Sequence, residues 1–131
     1  MEDSLFTRII KGEIPCHRIY EDDRVIAFLD VHPLHEGHTL VVPKTQVDHL
    51  WDLPQDDYVY LWNIVKTLGD HIRQTLETPR VGVVVEGFGV PHVHVHLIPI
   101  ESGDDLKRHQ DMTAAIDHER LASTAAALRL A

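Results

Sequence analysis

The sequence predicts an α+β fold: a five-stranded antiparallel, meander-like sheet with a short N-terminal helix, one long central helix and a C-terminal helix. Three observations carry this. First, the order reads helix, three strands, helix, two strands, helix. Second, strands 1–3 and 4–5 have short connections, which suit antiparallel pairing and are too short for βαβ crossovers. Third, His92-Val93-His94-Val95-His96-Leu97-Ile98 alternates imidazole with aliphatic residues. In a strand this sends the three histidines to one face and Val93, Val95 and Leu97 to the core. Neighbouring imidazoles on that face would stand roughly 6.5–7 Å apart, close enough to act together on one small anionic group.

Taken in order, Ser4 is placed to cap a short helix whose apolar face is Leu5, Phe6, Ile9 and Ile10, with Gly12 and Ile14-Pro15 ending it. Cys16 to Tyr20 and Val25 to Leu29 read as two strands joined by a polar hairpin turn, Glu21 to Arg24. A loop containing Pro33 and Gly37 leads into the third strand, His38 to Val42, stopped by Pro43. Asp52, Pro54 and Gln55 mark the start of the main helix, whose stripe is Tyr58, Leu61, Val65, Leu68, Ile72 and Leu76. Thr78-Pro79 closes it, Val81 to Glu86 is the fourth strand, and a tight Gly87 to Pro91 turn precedes the histidine strand. Glu101 to Gln110 reads as polar and loose. Thr113 to Leu130 reads as a helix with a thin apolar stripe at Ile116, Leu121, Ala125 and Leu128. Helices are expected on one face of the sheet.

Composition sets the boundaries. At 131 residues, 44% hydrophobic and 25% charged, the chain is expected to form a single domain over 1–131 with a real core. The net charge of −9 argues against a broad nucleic-acid or anionic-lipid footprint. A local anion site stays open, because eleven histidines supply donors with little formal charge. A lone cysteine, Cys16, gives neither a disulfide within the chain nor a thiolate cage. No apolar run approaches the roughly 18 residues of a membrane span, and the acidic N-terminus lacks a signal-type run. No membrane partner and a cytoplasmic location are expected.

Histidine serves as nucleophile, general acid or base, phosphate donor or metal ligand, and the spacing alone does not choose among these. A nucleophilic imidazole must be neutral at its attacking nitrogen, and a partly protonated neighbour would stabilise charge on a phosphoryl oxygen.

The motif His92 to Ile98 resembles the histidine-triad (HIT) signature, His-φ-His-φ-His-φ-φ with φ apolar. The resemblance extends through Leu5 to Pro15, Tyr20 to Asp23, Ala27 to Asp30, and Gly37 to Lys44. It covers residues 5 to about 100 and leaves 101–131 as a variable tail. It implies a nucleotide hydrolase or transferase, cytoplasmic, with no cofactor and no catalytic metal. His94 would attack the α-phosphorus of a nucleoside 5′-phosphoramidate or related conjugate through a covalent nucleotidyl-histidine. The backbone carbonyl of His92 would orient His94, His96 would contact the phosphate, and His38 would stand at the edge of the phosphate site. Asp30 would take both ribose hydroxyls. Leu5, Phe6, Ile9, Phe28, Leu29 and Val31 would sandwich the base of a purine nucleoside phosphate, with Val85 and Pro91 completing the nucleotide site. A homodimer is expected, with Tyr58 and Trp62 as interface or core.

The sequence also departs from the family pattern. Val85 stands where many relatives have Asn, and the loop before the triad is short and apolar, so donors toward the leaving group are missing. Where some bacterial relatives hold structural zinc with Cys-x-x-Cys and a histidine, this chain has Ser4, Thr7 and Gln46, and no zinc is expected. The alternatives are a dinucleoside polyphosphate hydrolase, a non-catalytic nucleotide-binding or adaptor module, and a metal-dependent hydrolase or metal store.

Overall fold

The computed structural model describes residues 1–130. Its elements are α1 (Leu5–Ile10), β1 (Arg18–Glu21), β2 (Val25–Leu29), β3 (Thr39–Pro43), α2 (Gln55–Leu76), β4 (Arg80–Val84), β5 (Val95–Ile100) and α3 (His118–Leu128). The five strands form one sheet in the order β1-β2-β3-β5-β4, every neighbour antiparallel. The first three strands are a meander. α2 then carries the chain across to the edge strand β4, and β5 returns between β4 and β3.

Alternation divides the sheet into two cores. Val25, Ala27 and Leu29 of β2, Val41 of β3, and Val93, Val95 and Leu97 pack with Leu61, Val65, Leu68 and Ile72 of α2 and Leu121, Ala125 and Leu128 of α3. Each fully buried aliphatic side chain contributes about 1.5–3 kcal/mol of transfer free energy. On the other face Ile26, Phe28, Leu40 and Val42 pack with Phe6, Ile9 and Ile10 of α1. Thus α2 and α3 share one face as expected, whereas α1 lies on the opposite one. α1 is only six residues long, and its apolar stripe needs the narrow strip that the histidines leave on that face.

Ser4 caps α1 by accepting the Thr7 N–H at 3.0 Å. Gly37 turns the chain into β3 at φ +92, and a side chain there would run into Leu76. β5 starts at Val95 rather than His92 because of the strand beside it. The β3–β5 register pairs Thr39 with Leu97 and Val41 with Val95, which would bring Pro43, without an N–H, opposite Val93. The Val93 N–H goes instead to Val47 O at 2.8 Å. α3 starts five residues later than the apolar pattern suggested. Asp117 caps it by accepting the Arg120 N–H at 3.0 Å, while Asp111 holds Thr113 in a separate turn. Ile116 falls outside the helix and is exposed. The segment expected to be loose is organised by a capping box in which Ser102 and Asp105 bond reciprocally around the 3₁₀ turn Gly103–Lys107.

Candidate active site

The run leading into β5 and the first residues of that strand bring the triad to the α1 face. Phe6 from α1 meets Phe28 edge-to-face at 5.6 Å between ring centroids, and meets His94 at 4.9 Å. These rings wall a cleft of about 300 Å³. Leu5, Phe6 and Ile9 line one side, with Phe28, Leu29, Asp30 and Val31 opposite and His94 and His96 at one end. The cleft therefore gathers nine of the expected residues. It is largely apolar, with polar groups confined to the Asp30 and histidine ends, a distribution that suits a flat ring joined to a charged group.

His92 and His38 do not line the cleft. Both are wholly buried behind it, where they hold their neighbours. His92 Nε2 faces the Pro43 carbonyl at 2.8 Å, so that nitrogen carries the proton. Nδ1 is then an acceptor, and it receives the Ser4 hydroxyl at 2.6 Å. Thr7 Oγ1 donates to Gln46 Oε1 at 2.6 Å, and Gln46 Oε1 also accepts the Ser4 N–H at 2.9 Å. Ser4, expected from the sequence to cap α1, together with Thr7 and Gln46, which stand where some relatives hold zinc, forms a hydrogen-bonded clamp that ties α1 to the triad. The His92 carbonyl accepts from His94 Nδ1 at 2.7 Å, which leaves the lone pair of the neutral ring on Nε2.

A second chain fixes His96. The Leu34 N–H donates to His38 Nδ1 at 3.1 Å, so the His38 proton sits on Nε2 and is donated to His96 Nδ1 at 2.9 Å. The His96 proton is thereby placed on Nε2. The His94 and His96 rings stand 5.0 Å apart, closer than strand spacing alone gives, because they tilt toward each other.

Burial holds this network neutral. It lowers the pKa of His92 and of His96, and lowers that of His38 to about 4 against an opposing pull from Asp30. His96 therefore offers a neutral N–H donor at pH 7, in place of the partly protonated neighbour expected from sequence.

Two clusters have the ligand types for a cation: Asp30 with His38 and His96, and Glu86 with His94 and His96. In the first, the His38 Nε2–His96 Nδ1 hydrogen bond would have to break before either nitrogen met a metal. The second occupies the cleft mouth. Glu86, absent from the sequence expectations, lines the cleft there with Gly89 and Val90. Val85 and Pro91 instead line an adjoining groove with Leu50, Trp51 and Phe88, which meets the cleft at His94 and Glu86. The short loop's one clear signal was its Gly87-x-Gly89 pair, which marks a turn but not a side-chain direction.

The HIT domain family profile matches residues 11–103. An uncharacterised HIT-like protein of Methanocaldococcus jannaschii is 39% identical over 106 residues, 76% of this chain and 81% of that protein. The Arabidopsis thaliana protein named adenylylsulfatase HINT3 is 30% identical over 118 residues, 82% of this chain and 60% of that protein. The crystal structure of a HIT-like protein from Bartonella henselae superposes with a TM-score of 0.83 at 30% identity, covering 97% of this chain and 95% of that one. Fold, triad spacing and sequence agree across the central hundred residues, and the chain belongs to the histidine-triad family of nucleotide-binding hydrolases and transferases.

Proposed function

We propose that the protein hydrolyses a nucleoside 5′-phosphoramidate, or a related nucleotide conjugate, at the α-phosphorus. The observation that carries this reading is the His94 Nδ1–His92 carbonyl contact, which turns the Nε2 lone pair of His94 toward the cleft. Nε2 attacks phosphorus, the bond from phosphorus to the leaving amine breaks, and the departing nitrogen takes a proton from solvent water. Water then attacks the nucleotidyl-histidine, the P–N bond to His94 breaks, and nucleoside monophosphate and free imidazole result. His96 Nε2–H stabilises charge on a phosphoryl oxygen as a neutral donor already in place. The Phe6 and Phe28 side of the cleft takes a purine, and Asp30 takes the ribose. An adenylylsulfatase among the relatives supports hydrolysis as the reaction type.

The test is amine release from a fluorogenic adenosine phosphoramidate with chelator present, for wild type and His94→Ala. Turnover that persists with chelator and falls at least a thousandfold in the variant, with monophosphate binding kept, is expected. Binding without turnover by wild type would overturn the hydrolase reading in favour of a nucleotide-binding module, for which the loss of the polar residue at Val85 already speaks. Cleavage of diadenosine polyphosphates alone would move the reading to the dinucleotide hydrolase. Loss of activity with chelator would favour a metal at Glu86, His94 and His96.

We also read the protein as a two-fold dimer through the edge strand β4 and α2. β4 presents a half-exposed Val83 and an unpaired edge, and Tyr58 and Trp62 lie partly buried on α2. No helix among the described residues is long and apolar enough to cross a membrane. With the net charge of −9, a small nucleotide is the partner proposed.

A further inference from the structure

The family match ends at residue 103, yet the chain beyond it returns to the cleft. Arg108 donates through Nη2 to the Leu34 carbonyl at 2.6 Å, pinning the segment to the loop between β2 and β3. Two residues on, Gln110 Nε2 donates to Asp30 Oδ2 and to the His32 carbonyl, each at 2.9 Å. Both partners are acceptors, so the orientation of the Gln110 amide is fixed and both its hydrogens are committed. Gln110 and Met112 both line the cleft.

Asp30 lies at the centre of this arrangement. Its Oδ1 accepts the His32 N–H at 2.9 Å and its Oδ2 accepts Gln110. An ionised carboxylate has about four acceptor directions, so two remain, matching the two hydroxyl donors of a ribose cis-diol. Without Gln110, one oxygen of Asp30 would have no protein donor and the carboxylate could turn about its Cβ–Cγ bond.

We propose that Gln110, from the C-terminal segment beyond the family profile, is a positioning residue of the sugar subsite. It holds Asp30 so that the carboxylate reads the 2′,3′-diol, and so selects ribonucleotides over 2′-deoxyribonucleotides. This rests on the nucleotide reading above, with Asp30 at the ribose.

The experiment compares binding of AMP and 2′-deoxy-AMP by calorimetry to wild type, Gln110→Ala, Gln110→Glu and Asp30→Asn. Wild type is expected to prefer AMP, and Asp30→Asn to abolish the preference. Gln110→Ala should weaken AMP by roughly three- to tenfold, the worth of one ordinary hydrogen bond because Gln110 acts on the diol only through Asp30, while changing 2′-deoxy-AMP less than about twofold. Gln110→Glu, which sets a second carboxylate against Asp30, should weaken AMP further. With the phosphoramidate substrate, KM should rise in Gln110→Ala and kcat should hold. An unchanged AMP to 2′-deoxy-AMP ratio in Gln110→Ala, beside a collapsed ratio in Asp30→Asn, would overturn the inference alone. A wild type that ignores AMP, or an Asp30→Asn variant that keeps its preference, would overturn the ribose reading and the inference with it.

Discussion

Acidification should destabilise this protein through its buried histidines before its carboxylates titrate, and His38 allows the effect to be sized. Its pKa in the fold is lowered to about 4 by burial, against an ordinary 6.5 when unfolded. The unfolded chain therefore binds more protons through the interval from 6.5 down to about 4. Stability is full above that interval and is lost as the pH falls through it. Between pH 7 and pH 5, linkage gives a loss of about 2 kcal/mol from His38 alone. His92 and His96, also lowered by burial, add in the same direction. The assay is urea unfolding at pH 7, 6 and 5, at one protein concentration, for wild type and His38→Gln. Glutamine reaches far enough to keep a donor for His96 Nδ1 but does not titrate. Wild type should lose about 2 kcal/mol more than the variant over this range. Parallel curves for the two proteins would refute the neutral network, because His38 would then titrate in the fold as it does in the open chain.

Two further outcomes test the rest of the framework. Ser4→Ala removes the hydroxyl from buried His92 Nδ1 and the cap of α1, so a loss of about 1–3 kcal/mol in thermal unfolding is expected. It should also disturb the His92 tautomer seen by nitrogen NMR, with Ser4→Thr restoring it; an unchanged tautomer would deny the clamp its role. Sedimentation should give a dimer for wild type, and Val83→Lys on the open edge of β4 should shift it toward monomer; a monomeric wild type would dismiss that interface.

How far the sequence could carry the structure depended on the range of the interactions involved. The period-two triad and the six-position stripe of α2 are local signals with no competing pattern, and both translate directly into which face is buried. The start of β5 was not legible at His92, because it depends on Pro43 facing Val93 across a register that only the assembled sheet defines. The start of α3 was misplaced because Ala-rich spacing gave no hint that Asp117 would cap. The site followed the same rule. His94, His96, Asp30 and the apolar walls lie on elements with strong patterns, so they could be named. Gln110 reaches Asp30 across 80 positions from a segment without periodicity, and nothing local announces it. Likewise the roles of Ser4, Thr7 and Gln46 depend on which atom of His92 is already taken by Pro43.

That dependence is itself the main chemical content of the site. His38, His92, His94 and His96 have two ring nitrogens each, and six of these eight are committed to partners within the protein. The two left over are His94 Nε2 and His96 Nε2, and the commitments of their rings make them opposites: one holds a lone pair, the other a proton. A nucleophile and a donor are thus set side by side from the same side chain, with the distinction made by a carbonyl at one ring and by His38 at the other. The assignment holds only while the rings are neutral, because a protonated His38 or His96 could no longer accept at Nδ1. The burial that lowers their pKa and the roles that depend on their tautomers are therefore one property. The same reasoning accounts for a hydroxyl at Ser4, since the wholly buried Nδ1 of His92 needs a donor that brings no charge with it.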